Sequence, residues 1–304
     1  MSSVFFRFSL VRLSLPPSRG RKIIPEAANR PNKGKQTRLN YELQQIKITG
    51  GKRGSHCNGN EVRIDDRQAT DEEKEVLSRY SGFGGIKDVL NIGTEHTVSD
   101  DVAEPIRKLQ DLIGAYPYYD DAMRQAVINS IKSSVLTAFY TPKFLVDAVT
   151  RQIHATFKDN CLQMSTFLEQ CGNWRLSAVS MPGTRSYAFE KDCLTGLILS
   201  LLYDEATTVT AGFETIADQH LEHESFDVIA SNIPFGNFRV FDAEMWKKGG
   251  MYEQSAKTIH NYFFVKAMEL LNEGGLLAFV APRGIADTPG NKFVREYLSI
   301  MPTS

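Results

Sequence analysis

Over the first sixty residues apolar side chains follow neither helical nor strand spacing: Arg, Lys, Asn, Gly and Pro dominate, and Thr49 to Asn60 has no usable apolar period. The pattern predicts an unfolded arm over 1–60, with a short helix around Leu39 to Ile46. At Thr70 the pattern changes. Thr70 with Glu73 three later, ahead of Val76 and Leu77, has the form of a capping box, and the glycines of Ser81-Gly82-Phe83-Gly84-Gly85 end that run in a turn. Helical spacing returns over Asp101 to Ile113 and Asp120 to Lys132. Thr141 and Pro142 supply an N-cap and a first helical residue for a helix whose face carries Leu145, Val149 and Ile153. Residues 61–158 thus read as a helical region.

From about residue 160 short apolar runs alternate with stretches of helical length. Ser165 to Glu169, Arg185 to Glu190, Val209 to Phe213, Phe226 to Ser231 and Leu276 to Val280 read as buried strands, and Leu194 to Tyr203 and Thr258 to Leu271 as helices between them. Parallel neighbours require crossover connections, so this alternation predicts an α/β domain over 159–304 with a mostly parallel sheet covered on both faces. Ligands of such sheets sit beyond the carboxyl ends of the strands. Chemistry is therefore expected from Glu169 onward, at Glu190, at Phe213 and Glu214, and from Asn232 onward.

Charge and cysteine content narrow the classes. The 304 residues hold 35 Lys and Arg against 36 Asp and Glu, which excludes a uniformly basic nucleic-acid coat. The balance is uneven: residues 1–40 carry nine Lys or Arg and a single acid, Glu26. Met1 to Arg21 has the composition of an organelle presequence, but is read instead as a basic arm or as translation from a start placed too early. The four cysteines, Cys57, Cys161, Cys171 and Cys193, show no metal-ligand spacing, so neither a zinc site nor a disulfide framework is expected, and a reducing compartment fits. No apolar run approaches the roughly 20 residues of a membrane span.

The sharpest chemical signal is Asn232-Ile233-Pro234-Phe235, directly after the strand Phe226 to Ala230. An amide, a proline and an aromatic at a strand end suit the holding of a planar amine for attack on an electrophilic methyl group. The Asn232 side-chain oxygen and the backbone carbonyl of Ile233 or Pro234 accept the amine hydrogens, Pro234 fixes the backbone, and Phe235 stacks on an extruded base. Positioning, rather than a charged general base, would carry the catalysis.

These residues resemble the signature of the N6-adenine DNA methyltransferases, and in particular the adenine methylases of conjugative and other mobile elements. Further blocks carry the resemblance from about Gln68 to Arg295: Tyr80 to Gly85, Phe139-Tyr140-Thr141-Pro142, Ala188-Phe189-Glu190-Lys191-Asp192, Gly212-Phe213-Glu214 and Thr258 to Phe263. The resemblance implies a Rossmann-like class I S-adenosylmethionine-dependent sheet preceded by the helical region, with S-adenosylmethionine as cofactor and DNA as substrate. It implies a site-specific, adenine-specific enzyme of bacterial cytoplasm, related to restriction-modification systems and with a fused or associated helicase in the full-length protein. Asn232, Ile233, Pro234 and Phe235 would be catalytic. Phe139, Tyr140 and Thr141 would line the methionine end of the cofactor at a helix N-terminus, Glu169 and Gly172 would belong to the first-strand loop, Glu190 would hold the ribose hydroxyls, and Phe213 and Glu214 would meet the adenine. His260 is not read as a base, and the aromatics that follow it read as packing.

Two departures from the family pattern bear on activity. Where the first strand should lead into Glu-Pro-Ser-Ala-Gly-x-Gly, this chain has Glu169-Gln170-Cys171-Gly172-Asn173-Trp174-Arg175-Leu176, with Trp174 and Arg175 in space the cofactor needs. Permitted codons for Gln170 to Leu176, read one nucleotide later, spell Ser-Ala-Gly-Ile-Gly-Gly-Phe. A local frame disturbance restored by about Met181 is therefore expected. The chain also stops at Ser304, where the family's sheet continues, so a truncated and marginally stable fold with an uncovered edge is expected. Impaired methylation, a catalytically inactive DNA-binding remnant, and methylation of a protein glutamine or of RNA remain alternative readings.

Overall fold

The computed structural model describes residues 69–80, 82–84, 86–92, 100–115, 120–137, 141, 143–157, 164–168, 185–203, 206–219, 226–234 and 236–300. The arm over 1–60 and the loop Glu169 to Leu176 lie outside these residues.

Helix α1 (Asp71–Leu77) starts as its capping box predicts. The Thr70 hydroxyl accepts the Glu73 N–H at 3.3 Å while the Glu73 carboxylate accepts the Thr70 N–H at 2.9 Å, so two otherwise orphaned donors are satisfied. A 3₁₀ turn (Lys87–Asn91) leads to α2 (Asp100–Ala115), α3 (Asp121–Thr137) and α4 (Lys143–Thr156). Helix α3 outruns the expected end at Lys132, and two serines near its end bond back into the helix: Ser133 Oγ donates to the Ser130 carbonyl and Ser134 Oγ to that of Ile131, both at 2.9 Å.

A single parallel sheet follows, in the order β3-β2-β1-β4-β5. Its strands are β1 (Met164–Leu168), β2 (Arg185–Phe189), β3 (Thr207–Val209), β4 (Phe226–Asn232) and β5 (Leu271–Val280). The chain moves outward from β1 through β2 to β3, then returns to the other side of β1 for β4 and β5, a Rossmann-like arrangement whose switch point lies between β1 and β4. Two strands differ from expectation. β3 ends at Val209, and Phe213 instead opens a 3₁₀ turn (Phe213–Gln219), because the chain folds back at Gly212 with the Thr215 N–H donating to the Gly212 carbonyl at 3.0 Å. β5 begins at Leu271 rather than Leu276: Leu271 pairs with Phe226, and an irregularity brings Leu276 opposite Val228.

Helix α5 (Cys193–Leu202) crosses between β2 and β3 and is buried on nearly every side. A helix apolar all round must be covered on all faces. The sheet lies on one side; on the other, Leu77, Phe83, Val89, Leu109, Val127 and Ile131 form one core cluster with its Leu194, Leu197, Ile198 and Leu201. Full burial of each such side chain contributes about 1.5–3 kcal/mol. Gly196 permits close approach to the end of β3, since a Cβ there would lie 2.5 Å from Thr210 Oγ1. Helix α4 lies elsewhere, its Val146 and Ile153 clustering with Val228 and Ala230 of β4.

Short helices α6 (Ala243–Lys248) and α7 (Gly250–Ser255) precede α8 (Ile259–Leu270), the crossover between β4 and β5; α9 (Gly284–Asp287) and α10 (Lys292–Ile300) complete the described chain. No helix among the described residues is long and apolar enough to cross a membrane, and no cluster of His, Cys, Asp and Glu among them could hold a metal. Cys193 is disulfide-bonded, which the cysteine spacing did not predict.

Candidate active site

The strand registers bring two of the predicted positions, Glu190 and Asn232, to one edge of the sheet. Phe189 of β2 lies opposite Leu168 of β1, Leu168 opposite Ser231 of β4, and Asn232 opposite Val280 of β5. Glu190 and Asn232 therefore lie at the carboxyl edge on either side of the end of β1. The parallel crossover requires α8 to run back against the strands, so its first turn, with His260 and Asn261, returns to the same edge.

Asn232 is buried as the last residue of β4, and Ile233, also buried, continues the pairing by donating its N–H to the Val280 carbonyl at 3.2 Å. The strand end is thus held by its neighbour up to Pro234, and backbone carbonyls there have defined directions. Gly236 has φ +149°, and a Cβ on it would lie 2.5 Å from the Phe238 ring, so the turn that leaves the motif needs glycine for both conformation and space. Glu190 is buried, its N–H donating to the Val209 carbonyl at 3.0 Å and its Oε1 accepting the Asp192 N–H at 2.7 Å. Asp192 in turn caps α5 through Thr195 N–H (2.8 Å) and accepts the Ser130 hydroxyl of α3 (2.6 Å), which ties the helical region to this corner.

Phe213 is buried, stacked on Phe263 with ring centroids 5.3 Å apart and set edge-on to Phe189. Glu214 reaches the surface and pairs with Lys191 at 3.1 Å, its carboxylate lying where a Cβ on Gly212 would be. Thr141 is buried ahead of α4. Phe139, Tyr140, Glu169, Gly172 and Phe235 lie outside the described residues.

Sequence reasoning missed a buried charged cluster under the segment that follows the motif. Lys266 of α8 and Asp242 have side chains only 5% and 2% exposed and pair at 3.1 Å. The same Asp242 oxygen accepts the Tyr262 hydroxyl at 2.9 Å, and the other caps α6 by accepting the Glu244 and Met245 N–H groups at 3.0 and 3.1 Å. Burial alone would raise the Asp242 carboxyl, but the Met245 N–H, the Lys266 ammonium and the Tyr262 hydroxyl together hold it below the usual carboxylate range. Burial and the adjacent Asp242 push the Tyr262 phenol well above its ordinary value. The available signal was a lone lysine within the apolar run of α8, since buried charges require partners. Burial also lowers His260, which leaves it neutral near pH 7. Asn261 donates to Asn291 at 2.9 Å, and Asn291 to the Gly284 carbonyl at 2.9 Å, tying α8 to the chain beyond β5.

Residues 184–301 match the family described as Eco57I restriction-modification methylase. Among solved structures, the chain is similar to a protein assigned as a class I S-adenosylmethionine-dependent methyltransferase from Listeria monocytogenes, at 14% identity over 87% of this chain and 79% of that one, with a TM-score of 0.42. It is also similar to the type I restriction-modification system methyltransferase subunit from Streptococcus thermophilus, at 13% identity over 66% of this chain and 49% of that one, with a TM-score of 0.41; it spans about half the length of that subunit. No curated protein matches the sequence. The family match runs from β2 through α10 and includes the Asn232 motif, so it agrees with the methylase resemblance drawn from the motifs.

Proposed function

We propose that this chain, whose residues 184–301 are similar to restriction-modification methylases, methylates the N6 amine of adenine in DNA. The observation that carries the reading is the position of Asn232-Ile233-Pro234 at the carboxyl end of β4, beside the switch point of a parallel sheet. Two described residues support S-adenosylmethionine as the cofactor: Glu190, a buried carboxylate at the end of β2 suited to ribose hydroxyls, and Glu214 beyond β3. When bound, the cofactor supplies an electrophilic methyl group.

The chain's own residues then have the task of presenting the amine. The Asn232 amide oxygen and the backbone carbonyl at Ile233 or Pro234 accept its two hydrogens, which turns the nitrogen lone pair away from the ring and toward the methyl group. The Ile233 N–H bonded to Val280 holds those acceptors in place before the substrate arrives, so little reorganisation is needed during reaction. Phe235 stacks on the extruded base, an arrangement that takes the target out of the duplex. His260, buried and neutral, is not needed as a base, because the amine loses its proton only after the methyl group has transferred.

Transfer of labelled methyl groups from S-adenosylmethionine to DNA, RNA and protein tests the reading. DNA is expected to be labelled on adenine, and Asn232→Ala to lower the rate at least a hundredfold. Labelling of RNA or of a protein glutamine in place of DNA overturns it. Absence of both S-adenosylmethionine binding and transfer supports instead the inactive remnant, which Trp174 and Arg175 in the first-strand loop favour, whereas micromolar cofactor binding defeats it.

A further inference from the structure

Of the five large hydrophobic side chains that the described residues leave exposed, three lie on the short segment that leaves the motif: Phe238 (52% exposed), Phe241 (78%) and Trp246 (36%). Phe241 and Trp246 form a pair with ring centroids 6.4 Å apart. Phe238 rests on Gly236, two residues beyond Pro234. Exposed aromatic surface costs hydration free energy, and a cluster of it beside a site marks a contact surface.

The rings are held outward by a well-anchored segment. The Val240 N–H donates to the Ala256 carbonyl at 2.9 Å, Met245 is fully buried between the exposed residues, and Asp242 is fixed by Lys266 and Tyr262 while it caps the helix that carries Trp246. Charge is interleaved with the rings. Arg239 and Lys247, both exposed, have no carboxylate partner among the described residues, whereas the adjacent Lys248 is drawn back to Glu269 and the Tyr252 ring. Planar apolar faces alternating with unpaired cations suit stacked bases on a phosphate backbone better than they suit a protein surface.

We propose that Phe238, Phe241 and Trp246, with Arg239 and Lys247, form the surface that grips DNA next to the extruded adenine. This rests on the adenine-methylation reading. Extrusion leaves the neighbouring base pairs unstacked, and an aromatic ring carried on the segment just beyond the motif can cover that exposed face while the two cations meet flanking phosphates. The motif holds the extruded base, and this surface stabilises the duplex it came from.

Binding of the full chain to two fluorescein-labelled 30-base-pair duplexes, one intact and one with a central abasic site, tests the proposal. The wild-type chain is expected to prefer the abasic duplex, and the Phe241→Ala/Trp246→Ala double variant to lose that preference and bind it about tenfold more weakly. Arg239→Gln/Lys247→Gln is expected to weaken both complexes equally and to lower the slope of log affinity against log salt by about 2. All replaced side chains are exposed, so the thermal midpoints are expected to stay within a few degrees; Phe241→Ala alone repeats the test with the most exposed ring. Unchanged binding of both duplexes by the aromatic variants, or no DNA binding by the wild type, overturns the surface. So does loss of self-association in the double variant with DNA binding intact, which identifies a protein interface. Ring-dependent DNA binding without methyl transfer to DNA leaves this surface standing and rejects the adenine reading; methyl transfer to DNA with ring-independent affinity does the reverse.

Discussion

Gly236 concentrates two demands on one residue. Its φ of +149° disfavours any side chain, and the Phe238 ring occupies the volume a Cβ would fill. Gly236→Ala must therefore either move the ring or re-aim the turn that leaves Pro234. A loss of about 1–3 kcal/mol is expected in denaturant titration, together with reduced transfer activity in whatever fraction remains folded. Unchanged stability would show that the turn relaxes freely. The sequence displays Asn-Ile-Pro-Phe-Gly without indicating this second role for the glycine, because the obstructing ring is brought there by the path of the following residues.

At the scale of elements, α6 and α8 are joined through Asp242, Lys266 and Tyr262. Lys266→Met leaves Asp242 buried without its cation and is expected to cost about 3–5 kcal/mol, whereas Asp242→Asn with Lys266→Met removes both charges and is expected to recover much of that loss. Equal destabilisation by the single and double variants would contradict the pairing. The pH dependence has a definite sign. Because the folded-state pKa of Asp242 lies below its unfolded value of about 3.9, its contribution is fully present above that value and is lost as pH falls through the folded pKa. Helix α5 and β4 could be read from apolar spacing alone. The extension of β5 back to Leu271 could not, because Asn272 to Gly275 are turn residues that fall at an irregularity of the pairing, and only the match of Leu271 with Phe226 beyond them carries the strand on.

In the whole molecule, the helical region and the sheet share one core through α5. Removal of residues 69–157 would expose Leu194, Leu197, Ile198 and Leu201 together, and the remaining sheet is expected to aggregate rather than fold, as read by light scattering and by loss of a cooperative melt. A soluble, cooperatively folding fragment would show that the two parts are independent. At the opposite side of the sheet β5 pairs only with β4 among the described residues, and an unpaired strand edge is a site of self-association.

The sequence by itself determined the kind and order of the longer helices and of the five strands, the capping box at Thr70, and the placement of Glu190 and Asn232 at strand ends. All of these are written in local spacing, where a period of two or 3.6 residues and a capping side chain act over a few positions. Tertiary structure alone decided that β1 lies between β2 and β4, that Lys266 finds Asp242 some two dozen residues earlier in the chain, that Phe213 packs on Phe263, and that Phe238, Phe241 and Trp246 stay exposed. Strand pairing and burial are relations between distant segments, and no local period specifies which segment a given face will meet.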